Sequence, residues 1–242
     1  MREKVVPYKE KQSGKKEQVA EMFDNISKRY DFLNHFLSLG IDKRWRKKAV
    51  KLLAEDHPER ILDVATGTGD FALESAKLGP QSVKGIDISE GMLAIGRQKV
   101  LKRQKEAQIE LIYGDSEEIP FADESFDAVT VAFGVRNFEN LEKGLSEIQR
   151  VMRKGSKVVI IEFSKPKSFP FKQLYNFYFN RVLPVIGKMV SKDEAAYTYL
   201  PESVNAFPEG KDFEQILEKL NFKLLPTHPL FFGIASIYQA RK

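Results

Sequence analysis

The chain predicts an α/β fold: a mostly parallel seven-stranded sheet with an antiparallel last strand, a helical cover at the N-terminus and an insertion after the fifth strand. Three observations carry that reading. From Arg60 onward, short runs rich in Ile, Val and Leu alternate with helical stretches, the pattern of βαβ units around a buried parallel sheet. The segment Arg60-Ile-Leu-Asp-Val-Ala-Thr-Gly-Thr-Gly-Asp70 joins an apolar strand to a helix through a glycine turn. The last two strand-like runs lie too close together for a helical crossover, so they are expected to pair antiparallel.

Residues 1–16 hold six Lys/Arg against two acids and read as a basic flexible arm, leaving a single domain over 17–242. Val19, Met22, Phe23 and Ile26 recur at helical spacing, Gly40 interrupts, and a basic helix follows around Trp45, so 17–55 forms the helical cover. Strands are expected at 60–65, 82–87, 108–113, 126–133 and 156–163. Helices fall between them at 70–78, 90–105 and 140–152, with a short turn near 116–119. Between 166 and 210, five of the eleven prolines and a dense aromatic group break the regularity and mark the insertion. A helix near 211–220 and strand runs 221–226 and 231–240, divided by Thr227-His-Pro229, complete the chain.

A hydrophobic fraction of 42% and a charged fraction of 30% describe an ordinary globular domain. The absence of cysteine excludes disulfides, thiolate metal sites and a cysteine nucleophile. Only His35, His57 and His228 are present, far apart, so no metal site is expected. The N-terminus lacks the apolar core of a secretory signal, and no run reaches the about 18 apolar residues of a membrane span. A cytoplasmic protein is expected. The net charge of +5, with Lys43-Arg-Trp-Arg-Lys-Lys48 as a dense cluster, suits nucleic acid, an anionic membrane surface or a merely solvated lysine-rich face.

The glycine corner carries the chemistry. Gly67-x-Gly69 opens a helix, where backbone amides bind anions, but the surrounding charge disfavours a pyrophosphate. Asp63 ends the first strand and Asp70 starts the helix. Ile86-Asp-Ile88 brings Asp87 to a second strand end, and Tyr113-Gly-Asp115 brings Asp115, ahead of Ser116, to a third. Acids along one sheet edge suit a ligand with cationic groups and sugar hydroxyls. S-adenosylmethionine fits that description and NAD fits it poorly. Asp87 is placed for the ribose hydroxyls and Asp115 for the adenine amino group; either could instead cap the helix or turn that follows. A tight turn with no ligand stays open as the plain structural alternative.

Tyr30-Asp-Phe-Leu-Asn34, Ser38, Trp45, the Asp63–Asp70 corner and Phe133-Gly-Val-Arg-Asn137 resemble the demethylmenaquinone/ubiquinone C-methyltransferase family. So do Glu162-Phe-Ser-Lys-Pro166, Tyr199-Leu-Pro-Glu-Ser203 and Ala206-Phe-Pro208. The resemblance implies a Rossmann-like methyltransferase that transfers a methyl group from S-adenosylmethionine to a ring carbon of a polyprenylated quinol, most closely demethylmenaquinol, with a ubiquinone-pathway benzoquinol as the alternative. Position by position, it implies cofactor contacts at Thr68, Asp87, Asp115 and Ser116. Asp63, Gly67 and Gly69 complete the expected cofactor set.

A ring carbon becomes nucleophilic when the adjacent hydroxyl loses its proton, so the site must orient the ring and stabilise a phenolate. Arg136 and Asn137, just past the fourth strand, are candidates to reach that oxygen; for Arg136 the competing reading is an ion pair with Asp115 or Glu162. Tyr30, Asp31 and Asn34 cover the entry side, unless Asp31 caps a helix. Tyr197 and Tyr199 are weaker candidates. The prenyl tail needs an apolar surface, which Phe169–Phe179 and Val182-Leu-Pro-Val-Ile186 supply, interrupted by Lys172, Arg181 and Lys188. Transient contact with the inner face of the cytoplasmic membrane follows, no nucleic acid is expected, and a homodimer is compatible with the reading. An RNA methyltransferase would share the corner and the positive charge but lacks an aromatic-basic binding module. A non-catalytic S-adenosylmethionine-binding scaffold is the remaining alternative of a different class.

Overall fold

A computed structural model describes residues 5–38, 40–178, 181 and 194–242, with the side chains of 32–37, 194 and 197 left aside. The expectations for the side chains of Asn34, His35 and Tyr197, and for Val182–Ile186 and Lys188, lie outside the described residues.

Seven strands form one sheet: β1 (Arg60–Val64), β2 (Ser82–Asp87), β3 (Ile109–Tyr113), β4 (Phe126–Ala132), β5 (Met152–Phe163), β6 (Lys223–Leu230) and β7 (Ala235–Arg241). Their spatial order is β3-β2-β1-β4-β5-β7-β6. β1 to β5 are parallel, and β7 runs antiparallel to both β5 and β6. β6 therefore points the same way as the first five strands. Six carboxyl ends share one edge, and the order reverses beside β1, where open α/β sheets build their ligand crevice.

Helices α2 (Ile41–Ala54), α3 (Asp70–Ser75) and α4 (Glu90–Lys102) cover one face of the sheet. Trp45, Ala49 and Leu53 recur every four residues on α2 and pack with Phe71, Leu93 and the strand residues Ile61, Val83 and Val159. α5 (Leu141–Val151) and α8 (Lys211–Lys219) cover the other face, where Leu145, Ile148, Phe213 and Leu217 meet Val129, Val158 and Tyr238. A third cluster joins α1 (Lys15–Leu37) to α6 (Phe171–Phe177) and α7 (Glu194–Ala206) through Val19, Met22, Tyr175, Tyr199 and Val204. Gly40, at φ 71°, makes the expected break between α1 and α2.

Two boundaries differ from the sequence reading. β5 begins at Met152, not 156, because Lys154-Gly155 is absorbed as an irregularity between the Phe126 and Ala128 pairings rather than as a turn. Thr227-His-Pro229 lies inside β6, and the chain reverses at Phe231–Gly233 instead. β6 is an edge strand paired on one side only, so Pro226 and Pro229 can face outward without costing ladder bonds, and the pairing slips between Leu225 and His228. In the N-terminal arm, expected to be flexible, the Tyr8 N–H donates to Gln18 Oε1 (2.9 Å), while Lys11 pairs with Glu21 (2.5 Å) and Lys9 with Glu202 (2.8 Å). Val5 and Tyr8 give this arm apolar anchors against the α1–α7 cluster.

Candidate active site

After β1 the chain turns through Ala65–Gly69 into α3. Gly67 and Gly69 sit at φ 55° and 76°, a region a side chain disfavours. Space is tight there too, since a Cβ on Gly69 would lie 3.0 Å from Leu111 Cδ1, which would have to give way. Two carboxylates hold the turn from opposite sides. Asp63, buried under it, accepts from Thr66 Oγ1 (2.5 Å) and Thr130 Oγ1 (2.8 Å). Asp87, at the end of β2, accepts from the N–H of Gly67 (2.8 Å) and of Ser89 (2.9 Å). Burial pushes the carboxyls of Asp63 and Asp87 up to about 6, against the pull of these donors.

A cleft partly open to solvent lies on the strand ends beside this turn, where open α/β sheets place their ligands. Gly67, Asp87, Asp115 and Ser116 line one side. Each Asp87 oxygen accepts one backbone N–H and keeps a lone pair for a hydroxyl of the ligand. Ile88 and Met92 add an apolar floor, and Tyr30 and Phe133 bring aromatic faces that favour a cation. An acid for sugar hydroxyls, apolar surface for a base and aromatic rings for a cationic centre fit S-adenosylmethionine.

Helix α1 spans this cleft and is fastened along its length. Lys15 Nζ donates to the carbonyls of Arg136 (2.8 Å) and Phe138 (3.0 Å), and Lys16 Nζ to Asp115 Oδ2. Asp24 accepts from Ser89 Oγ (2.6 Å) and the Gly91 N–H (2.8 Å) at the start of α4. Asp31 accepts from Thr68 Oγ1 (2.6 Å) and pairs with Lys99 (2.6 Å). Asp31 is thus mid-helix and ties α1 to the glycine corner; it is not a cap.

The remaining side of the cleft is the Phe133-Gly-Val-Arg-Asn137 turn after β4. Asn137 lines the cleft, its Oδ1 accepting from Tyr199 OH (3.1 Å) and its Nδ2 donating to the Phe133 carbonyl (3.3 Å). Arg136, expected to reach a substrate oxygen, does not line the cleft. Its guanidinium lies behind the wall, paired with fully buried Glu162 (3.0 Å), donating to the Phe133 carbonyl and stacked 5.4 Å from the Phe163 ring. Burial raises the Glu162 carboxyl, with Arg136 opposing the shift. A guanidinium at this depth needs a carboxylate, and β5 supplies one.

The expected residues therefore divide. Tyr30, Gly67, Asp87, Asp115, Ser116 and Asn137 share the cleft, whereas Asp63, Thr68, Gly69, Asp31 and Arg136 form the frame around it. The charge argument for the corner also shifts. Asp70 is held by Lys99 (2.8 Å) and Arg46 (3.2 Å) and does not line the cleft, whereas Asp87 and Asp115 do, Asp115 with Lys16 already paired to one oxygen. The competing reading of Arg136, an ion pair with Glu162, is the one the structure shows. Lys16, Lys99 and Asp24 went unrecognised as framing residues, because their partners are far away in sequence.

The strand order, the glycine turn and the acid ending β2 define a Rossmann-like methyltransferase. The crystal structure of the [4+2]-cyclase SpnF shares this fold, with a TM-score of 0.72 over 95% of this chain and 97% of that one at 15% identity. Sequence similarity reaches further. The chain is 48% identical to a demethylmenaquinone methyltransferase of Bacteroides fragilis, over 99% of its own length and 98% of the relative's. It is 46% identical to the ubiquinone/menaquinone biosynthesis C-methyltransferase UbiE of Geobacter sulfurreducens, over 99% and 93%. A profile of the ubiE/COQ5 methyltransferase family matches residues 11–242, and the chain belongs to that family.

Proposed function

We propose that the chain methylates a ring carbon of demethylmenaquinol, using S-adenosylmethionine, in the biosynthesis of menaquinone. The carrying observation is one cleft lined by the acids Asp87 and Asp115 together with Asn137 and Tyr30. The naphthoquinol assignment is supported by the name of the Bacteroides fragilis relative; the Geobacter sulfurreducens name covers both quinone types.

Bound S-adenosylmethionine supplies an electrophilic methyl group on a sulfonium whose departure leaves a neutral thioether. Asp87 holds the ribose hydroxyls, and Asp115 with Ser116 meets the adenine. Asn137 donates an amide N–H hydrogen bond to the phenolate oxygen, and Tyr30 closes the ring from α1; the phenol proton, and the ring proton lost when aromaticity returns, leave to water. Arg136 acts as a positioning residue. Its donation to the Phe133 carbonyl, which Asn137 Nδ2 also uses, sets the amide. Glu162 holds Arg136, and Thr68 and Asp31 hold α1 across the cleft. The substrate's tail implies transient contact with the inner surface of the cytoplasmic membrane, where a quinol is available.

Incubation with labelled S-adenosylmethionine and a panel of reduced naphtho- and benzoquinols, read by mass spectrometry, tests the assignment. Methylation of the demethylated naphthoquinol in preference to benzoquinols is expected. Label in no quinol, despite cofactor binding, would reject the enzyme reading.

A further inference from the structure

Phe169, Leu174, Phe177, Phe231 and Phe232 are each at least 50% exposed, and they come from two segments far apart in sequence. Phe171 of α6 stacks on Phe232 of the β6–β7 turn at 3.7 Å between ring centres, and Phe231 packs edge-on to Phe232 at 5.5 Å. On α6, Phe177, Leu174 and Phe171 follow one another around a single arc of the helix, next to buried Tyr175. Exposed apolar surface of this kind marks an interaction site rather than a core.

The turn is held in a costly shape to present its rings. Phe231 and Phe232 adopt φ of 40° and 58°, left-handed conformations that residues with a Cβ avoid. Ser164 fastens the turn to the exit of β5, its N–H donating to the Ile234 carbonyl and its hydroxyl to that of Gly233, both at 2.9 Å. Because β6 runs parallel to β1–β5, Phe231 and Phe232 emerge at the same sheet edge as the cleft. From Ser164 to Arg181 the chain carries Lys165, Lys167, Lys172 and Arg181 and no acid; Lys165 is paired with Glu209 (3.9 Å), while Lys167 and Lys172 flank Phe169 and Phe171 in sequence.

We infer that these two segments form one docking platform that seats on the anionic surface of a lipid bilayer. Aromatic rings enter the headgroup region while the lysines meet lipid phosphates, the combination interfacial binding requires. The inference rests on the quinol reading, since a tail that stays in the bilayer requires the docked face and the cleft mouth to share an edge. It extends the expected membrane-facing segment to Phe231 and Phe232.

The test is flotation of the full chain with phosphatidylcholine vesicles, with and without phosphatidylglycerol. The wild type is expected to float with the anionic vesicles. Phe231→Ser/Phe232→Ser and Lys167→Glu/Lys172→Glu are each expected to cut the bound fraction by about fivefold or more, with cofactor affinity unchanged as the check on folding. The same variants should methylate a tail-less naphthoquinol normally and lose activity on a long-tailed quinol held in vesicles. Equal flotation of all variants, or none by the wild type, would overturn the platform. So would sedimentation velocity showing a wild-type dimer that the Phe231→Ser/Phe232→Ser variant dissolves, because the occupant would then be a second copy. A wild type that does not methylate the tail-less quinol overturns the substrate reading, whereas methylation without flotation overturns docking alone.

Discussion

The two sides of the cleft are held by opposite means. On the β1–β3 side, Asp87 is satisfied by the amides of Gly67 and Ser89, and the turn needs only a strand, glycines and an acid in fixed order. On the β4–β5 side, Asn137 depends on Tyr199 and on a guanidinium that itself depends on Glu162, with partners 26 and 62 residues away. In the proposed reading the first arrangement holds the cofactor and the second shapes the space left for the substrate. Backbone amides give the first side a cradle written in a short span, while the second side is assembled from side chains of distant elements.

The largest effect expected from breaking this contrast is in the buried pair. Glu162→Ala leaves Arg136 uncompensated at depth and should cost about 3–5 kcal/mol of stability by denaturant titration. Glu162→Gln keeps the shape, and should lower turnover far more than it weakens cofactor binding. A loss of both in equal measure would erase the division between the two sides. Asp87→Ala should act conversely: it removes a charged acceptor and weakens cofactor binding by about 100-fold by calorimetry, at roughly 1.5–3 kcal/mol per charge-assisted bond.

Acid titration sharpens the same point. Protonating Asp87 takes away an acceptor, so the cofactor dissociation constant should rise as pH falls from 7 to 5, by about tenfold per unit below 6. Folding stability moves the other way. Burial makes the folded state hold its protons on Asp63 and Asp87 more tightly than the unfolded chain. Their contribution is therefore full below about pH 4 and is lost as pH rises through about 6. Opposite slopes for binding and stability over this window would support the assignment, and parallel slopes would break it.

Tyr199→Phe removes the donor that orients Asn137. We expect turnover to fall by about fivefold to twentyfold, one hydrogen bond's worth, with KM and cofactor affinity little changed and the pH–rate profile shifted to higher pH. An unmoved profile would mean that Tyr199 only packs. The smallest effect is expected at Lys16, whose ammonium occupies the Asp115 oxygen that the adenine amino group would use. Replacing it with methionine should tighten cofactor binding by about twofold to fivefold, the scale of a half-exposed ion pair.

The glycine corner, the strand alternation and the antiparallel final pair were legible because each is written within a short span. Gly67, Gly69 and Asp87 could be assigned from local order, since strand ends and helix starts project their neighbours in one direction. Arg136 could not be placed. Its motif lies in the expected turn, yet whether the guanidinium faces the cleft or the core depends on Glu162, which only strand pairing brings alongside. The hairpin boundary failed for a similar reason: prolines end a central strand but are tolerated at an edge, and edge position is a property of the whole sheet.

The sequence by itself determined the α/β class, the cofactor corner and the family, because those follow from periodicity, backbone conformation and motifs read along the chain. Only the tertiary structure decided which carboxylates are free for a ligand, which cations are already spent on them and how the exposed phenylalanines meet. Those are outcomes of burial and pairing between residues that are neighbours in space alone.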